Sequence, residues 1–457
     1  MAKPMTKKAK KAKTRRAANG APSCRWVKAK GLYVARQANP NPDGKPLYTY
    51  SVDYDAALEK LRLKYDRALK GLDTSVHSES VHAWLEHWVE IIAKRTVVPK
   101  TYNSYRGIVD THIVPLIGTK KLRKLKVEDL DEMYDQIVVR VRAENNGRYD
   151  GFATARLAQR VMRAALNAAM AREEVDRNVA KLSTPPGKSK KVRRAMTADQ
   201  AKALLRTAFE ANHPHTVAIA VMLFTGTRLG EVIGLTWDRV ELSTRPDGTG
   251  GWVDVSWQLQ SHKKLHGCGK PNADNNYPCG RKRGAFCPHG FFDFRPDYEN
   301  VHVLNSLFLT RPKAGSLRQI PMTPQLNAFM MFQAQKTKDR PDNPNNFVFL
   351  DPRKLLGAEP IPPRYAWDMF KSCILSAGLP EDLVNHETRH TTATLLKEAG
   401  VDVDTIRMII GHTETETTLI YIHINQVAAQ QALDQLDAFL GFTDLPAVAA
   451  GHLALSA

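Results

Sequence analysis

The segment Pro185-Pro186-Gly187 divides the chain into two stretches that pattern their apolar residues differently. The two prolines remove backbone donors and fix φ, and the glycine after them ends any regular element. Upstream, Val81, Trp84, Leu85, Trp88 and Ile91 recur at helical spacing. Tyr102, Tyr105, Val109 and Ile113 do the same, until Pro115-Leu116-Ile117-Gly118 breaks the run. Leu130, Met133, Tyr134 and Ile137 mark a third helix, and an alanine-rich stretch at 155–171 marks a fourth. Stripes of this period bury one helix face against its neighbours, which predicts a helical domain over 77–182. After the break, Lys188, Lys190, Lys191, Arg193 and Arg194 make 183–194 a basic linker. Residues 195–441 then form the largest domain, mostly helical with a few strands. Its apolar run 217–224 reads as a buried helix.

Ahead of the helical domain, 24–55 carries short β-like pieces around Arg25-Trp26-Val27, Leu32 to Arg36 and Leu47 to Val52, and a helix is expected over about 55–72. The turn-rich Asn39-Pro40-Asn41-Pro42-Asp43-Gly44 separates the last two strands. This gives a small module at 19–76. Residues 1–18 hold eight Lys or Arg and no acid, a basic tail of a kind that repels itself and stays disordered. A tail at 442–457 closes the chain. At 457 residues, about three domains are expected. The fold class is multidomain and mainly α with small antiparallel β elements. It comprises a β-rich N-terminal module, a helical domain and a mixed domain with a three-stranded sheet.

The formal charge of +19 and the pI near 9.6 favour a polyanionic partner, with nucleic acid leading. Arg156, Arg160 and Arg163 along the fourth helix and the five linker cations are the candidate DNA contacts. No apolar run approaches the roughly 18 residues of a membrane span, and the basic start lacks an apolar stretch after it, so no membrane partner and no export are expected. Five cysteines are too few for a disulfide scaffold in a chain of this length, which fits a reducing cytoplasm.

Four separated pieces of the last domain bear chemistry. Thr225-Gly226-Thr227-Arg228-Leu229-Gly230-Glu231 opens a helix and puts Arg228 and Glu231 on one face. Apolar alternation on both sides of Gly315 reads as a β-hairpin with Lys313 near its tip. In His386-Glu387-Thr388-Arg389-His390, with Asn385 as N-cap, His386, Arg389 and His390 share a face. The two histidines at i and i+4 are also the spacing of a metalloprotease zinc pair, but Arg389 beside them opposes a cation. Gly411 looks like the stop of a helix over 404–410; His412 follows it, and Tyr421 comes nine residues after His412.

Together these pieces resemble the tyrosine recombinase, or phage integrase, family. Its series runs from an arginine in Thr-Gly-x-Arg-x-x-Glu through a hairpin lysine, His-x-x-Arg and Gly-His to a tyrosine. The resemblance covers about 195–425. The stretch 77–182 looks like that family's SAM-like core-binding domain, and 19–76 like the arm-binding module of its larger integrases. It implies that Tyr421 attacks a backbone phosphate, leaving a 3′-phosphotyrosine and a free 5′-hydroxyl. Arg228, Arg389 and His412 would hold the phosphate and Lys313 would protonate the leaving oxygen. His386 would assist proton transfer or hold the phosphate, while Glu231 and His390 support. Catalysis would need neither metal nor ATP. The implied partners are double-stranded attachment sites, three further copies in a homotetramer, and a directionality factor or host architectural protein, in the cytoplasm of a bacterial host. The activity would integrate and excise a mobile element or prophage. The alternatives are a Xer-like chromosome or plasmid resolution recombinase, a type IB topoisomerase-like enzyme, and a catalytically inactive DNA-binding accessory protein.

Between the first piece and the second, 261–305 is a long insertion holding Cys268, Cys279, Cys287, His262, His266 and His289. Three thiols and a histidine suit one structural zinc, with His266 or His289 as the fourth ligand, although the usual Cys-x-x-Cys pair is missing. Finally, Ala428, Leu433, Leu436, Phe439 and Leu440 form an amphipathic stretch, expected to dock on a neighbouring protomer or to pack on its own domain.

Overall fold

A computed structural model of the chain describes residues 21–69, 79–185, 187, 195–272, 274, 276–312, 318–354, 358–411 and 426–441. Two compact units emerge: one comprises Met1–Val97 with Thr101–Ser189, and the other Lys190–Ala457 with Val98–Lys100.

The first unit begins with an antiparallel meander of β1 (Ser23–Val27), β2 (Leu32–Gln37) and β3 (Leu47–Ser51), in the order β1-β2-β3. Helix α1 (Tyr54–Leu69) covers one face. Ala35 and Leu47 of the sheet bury against Ala57, Leu61 and Ala68 of the helix. Trp26, Tyr48 and Tyr50 stay exposed, with Arg36 over the Tyr48 ring and Lys30 over the Tyr50 ring.

A helical part follows. It contains α2 (Val81–His87), a π-helical stretch (Trp88–Ala93), α3 (Lys94–Thr96), α4 (Pro99–Ile108), a second π-helical stretch (Val109–Ile113), α5 (Val114–Ile117), α6 (Val127–Glu144) and α7 (Phe152–Ala171). Val81, Trp84, Leu85 and Trp88 are buried, as the spacing requires. Ile91 is not, at 43% exposure. The π-helical widening starting at Trp88 delays the phase of the turn, so Val89 and Ala93 take the inward positions instead. Pro115 sits in the first turn of α5, where its missing N–H costs nothing, and that helix ends before Gly118. The α6 stripe of Leu130, Met133, Tyr134 and Ile137 is fully buried. Along α7, Arg160 and Arg163 are exposed, while Arg156 Nε donates to the Gly187 carbonyl at 2.7 Å.

The second unit is built around α9 (Thr216–Thr225), all ten residues of which are buried. Around it lie α8 (Ala198–Glu210), α10 (Leu229–Val232), α11 (Pro324–Thr337), α12 (Pro363–Ser376), α13 (Asn385–Glu398), α14 (Val403–Ile410) and α15 (Gln426–Leu440). Thr197 caps α8 by accepting from Gln200 N, and the Gln200 side chain accepts from Thr197 N in return. On α15, Leu433, Leu436 and Leu440 enter the core of this same unit. The apolar face expected to reach a neighbour is thus spent in cis, because α15 packs on α13, α14, α8 and β9. Of the five residues, Phe439 remains exposed, at 42%.

The strands of this unit are β4 (Val240–Glu241), β5 (Trp252–Asp254), β6 (Gln258–Ser261), β7 (Asn300–Leu304), β8 (Leu307–Thr310) and β9 (Gln319–Pro321). They make two three-stranded sheets rather than one, β4-β5-β9 and β6-β8-β7. The strands that flank the expected hairpin, β8 and β9, do not pair with each other, and 313–317 lie outside the described residues. β8 pairs with β6 and β7, whereas β9 pairs with β5. Alternation marks both pieces as strands but does not choose their partners, and the consecutive β5 and β6 offer each of them an edge. The tight hairpin is instead β7–β8, turning at Asn305, whose φ is +52°. Regular structure therefore extends into both ends of the 261–305 insertion, leaving 262–299 between strands.

Candidate functional site

Two helix ends and the residue ahead of β9 gather three arginines, two paired with one carboxylate and the third held on two carbonyls. Helix α9 stops at Gly226, a left-handed C-cap with φ +61°, and α14 stops at Gly411 with φ +65°. Both carbonyls accept from Arg389, which α13 delivers into the core at 1% exposure. Nη1 reaches Gly226 O at 2.8 Å and Nη2 reaches Gly411 O at 3.4 Å. Arg389 Nε has no hydrogen-bond partner among the described residues. Arg228 caps the short α10, with its N–H donating to Glu231 Oε2 at 2.9 Å and its Nη1 to Glu231 Oε1 at 2.7 Å. Glu231, at 1% exposure, also receives Arg318 Nη2 at 3.1 Å, and Arg318 Nε donates to Ile409 O at 2.9 Å.

The electrostatics follow from three neighbouring cations and one anion, which pairs directly with two of them. Burial alone would raise the Glu231 carboxyl, but Arg318 and Arg228 hold it below its usual range. Burial, then the Arg228 and Arg318 guanidiniums, bring Arg389 down to about 9, still charged at neutral pH. The cluster thus carries uncompensated positive charge with an unused N–H in a water-poor setting. Such a place suits an anion, and a planar fork of donors suits phosphate oxygens.

Arg228, Glu231 and Arg389 are therefore brought together. Arg318 was not singled out by sequence, where an arginine in an alternating segment reads as a solvent-facing strand residue. His386 is exposed and His390 half-buried, and their rings meet at 4.9 Å on the outer side of α13. Their face is not that of Arg389, which turns inward. Asn385 is the first helical residue rather than the cap; Val384 caps, and Glu387 Oε2 accepts its N–H at 2.7 Å. Lys313, His412 and Tyr421 lie outside the described residues, as do the linker cations Lys188, Lys190, Lys191, Arg193 and Arg194.

A second constellation lies in the insertion. One ligand atom each from His266, Cys268, Cys279 and Cys287 falls within 4.8 Å of the others. His266 Nδ1 stands 3.5 Å from Cys279 Sγ and 3.8 Å from Cys268 Sγ. Bonds of about 2.0–2.3 Å to a tetrahedral zinc place ligand atoms about 3.5–3.8 Å apart, so the set fits that ion. The His266 ring stacks on Tyr277 with centroids 3.5 Å apart, which fixes its orientation. Burial pushes the Cys287 thiol up, but backbone N–H groups of Gly267 and His289 and the neighbouring thiols bring it down to about 6. His289 thus contributes its backbone, and the ring in the cluster is that of His266. The sequence offered these three thiols with His266 or His289 as the fourth ligand; the bridge between Leu265 and Phe291 closes the loop, and it is His266 that lies with the thiols.

No helix among the described residues is long and apolar enough to cross a membrane.

Residues 296–427 match the model of the phage integrase family, and 81–137 match the phage integrase N-terminal SAM-like domain. The chain is 23% identical to an integrase of Saccharopolyspora erythraea over 434 residues, covering 88% of this chain and 92% of that protein. It is 34% identical to an integrase of Streptomyces ambofaciens over 174 residues, covering 37% and 40%. Among solved structures, its fold is similar to that of the Tn1549 transposon integrase in complex with a circular intermediate DNA. The TM-score is 0.53 at 19% identity, over 79% of this chain and all of that one.

Proposed function

The chain belongs to the phage integrase family of tyrosine recombinases, and from that premise we propose that it cuts and rejoins duplex DNA at specific attachment sites to integrate and excise a mobile element or prophage. The observation that carries this is the gathering of Arg228, Arg318 and Arg389 in one buried cluster, in which Glu231 pairs with the first two and Arg389 feels the charge of all three. Phosphoryl transfer gathers charge on the non-bridging oxygens, and fixed donors aimed at them are the main catalytic resource. In this reading Arg228 and Arg389 grip those oxygens, while Glu231 and Arg318 keep Arg228 in place.

The Tyr421 oxygen attacks phosphorus and the bond to the 5′-oxygen breaks. The phenol proton leaves to His386 or solvent, and Lys313 supplies a proton to the departing 5′-oxygen. His412 donates to the phosphate and His390 orients His386. The phenol, ordinarily near pKa 10, needs such cationic surroundings to react at neutral pH. A 5′-hydroxyl from the partner strand reverses the step, so the phosphodiester energy is conserved and neither ATP nor a catalytic metal is required. The work falls to four copies on paired sites, in the cytoplasm of a bacterial host, with a directionality factor or host architectural protein. Residues 19–76 act as an arm-binding module, 77–182 as the core-binding domain and 195–441 as the catalytic domain. Arg156, Arg160, Arg163 and the linker cations contact the backbone. An integrase relative aligned along most of the chain favours this over Xer-like resolution.

The His266, Cys268, Cys279 and Cys287 set holds one structural zinc, which orders the insertion and takes no part in the chemistry. Metal analysis of purified full-length protein should find one zinc per chain, lost in Cys279→Ser. A metal-free wild type that keeps its melting temperature in chelator would remove this part of the reading.

The recombination reading is tested on a plasmid carrying the two ends of an integrated element. Purified protein should excise the intervening DNA without ATP, and Arg389→Ala should not. Excision by Arg389→Ala at the native rate would contradict it.

A further inference from the structure

Beside the thiol and imidazole set lies a cleft of 630 Å³, lined by Ser261, His262, Lys263, Lys264, Lys282 and Arg283 among others. It shares His266 and Tyr277 with that set. His262 lines it at 4% exposure, walled by Phe294, Tyr298 and Phe308, with neither ring nitrogen hydrogen-bonded among the described residues. Nor does Lys263, Lys264, Lys282 or Arg283 form an ion pair among the described residues, and three of the four are exposed. Between 262 and 291 the sequence places six basic residues against one acid, Asp274. Phe286 and Phe291, which follow these residues in sequence, are exposed at 67% and 47%.

Four like charges gathered at one cleft repel, and a single acid in that stretch cannot offset them. An external polyanion would do so. The insertion springs from β6, which packs on α10 directly after Arg228, so it shares a unit with the arginine cluster. A chain that grips one phosphodiester at that cluster meets many more on the same duplex. Lysine and arginine on a stiffened loop suit backbone contact without base reading.

We propose that the cleft beside the thiol cluster is a second phosphate-binding site, a clamp on the backbone of duplex DNA away from the phosphate under attack. This rests on the reading that the chain acts on DNA. The metal-binding set shapes the loop and the four cations do the binding.

The test compares full-length wild type with Lys263→Ala/Lys264→Ala/Lys282→Ala/Arg283→Ala, measuring affinity for duplex DNA across a salt series. For every phosphate that the variant no longer neutralises, the slope of log affinity against log salt should flatten by about 0.9. A slope shallower by about 2–4, with affinity near physiological salt down at least tenfold, is expected. Zinc content, melting temperature and covalent capture at saturating protein should match wild type. The matched variant with Lys263, Lys264 and Lys282 changed to Arg should keep the native slope, which separates charge from folding. An unchanged slope in the alanine variant overturns the clamp and leaves the recombinase reading standing. A wild type that binds DNA but never forms a covalent adduct strikes the recombinase reading, while the slope comparison still decides the clamp.

Discussion

Arg389 owes its position to two residues that end helices. Gly226 and Gly411 each take a left-handed conformation, and each turns its carbonyl to the same guanidinium. A Cβ at Gly226 would sit 2.7 Å from Ile410 Cγ2, on a backbone at φ +61° that side chains disfavour. Gly226→Ala should therefore cost about 1–3 kcal/mol and slow DNA cleavage more than it weakens DNA binding. Calorimetry and single-turnover capture would show whether the two losses separate. Arg318→Met leaves Glu231 buried with one cation instead of two, and the expected loss is about 3–5 kcal/mol, as for breaking a buried pair. Adding Glu231→Gln should recover part of it. Purely additive losses in that double-mutant cycle would show that the two side chains do not act as a unit. Arg228, Glu231 and Arg389 were legible from their local motifs. Arg318 was not, because an alternating strand says nothing about which face another element will cover.

At the scale of elements, stripes foretold helices reliably but not their phase. The π-helical stretch at Trp88–Ala93 rotates Ile91 outward although its spacing is helical. Strand partners were harder still, since β8 and β9 are close in sequence yet join different sheets. Helix α15 supplies a prediction of its own. Asp437 lies buried on it at 7% exposure with Oδ1 unpartnered among the described residues, and burial, followed by Asp434, pushes its carboxyl up to about 7. The unfolded group titrates near 3.8. Between those values the folded chain holds a proton that the unfolded chain has lost, so stability falls as pH rises through the window. Asp437→Asn should then raise the melting temperature more at about pH 8 than at about pH 5. An equal shift at both would mean that the carboxyl is not buried in solution.

For the whole molecule, the net charge of +19 favours a polyanionic partner, and the two family models match 81–137 and 296–427 separately. The cysteine and histidine set was legible as a candidate zinc site, but the choice between His266 and His289 was not, because closure of the loop by Leu265 and Phe291 is a tertiary event. Chelation followed by limited proteolysis should open cleavage within 262–299 while leaving 81–181 protected. Identical digestion with and without chelator would show that the metal does not order that loop.

The central claim is that one tyrosine carries the DNA through a phosphate held by Arg228 and Arg389. It is tested most directly by a duplex nicked beside the scissile phosphate, which lets the cleaved end diffuse away and traps the intermediate. Wild type should become covalently joined to DNA, with peptide mapping locating the nucleotide on Tyr421, and Tyr421→Phe should give no adduct. An adduct on another residue, or one that survives Tyr421→Phe, would contradict the account.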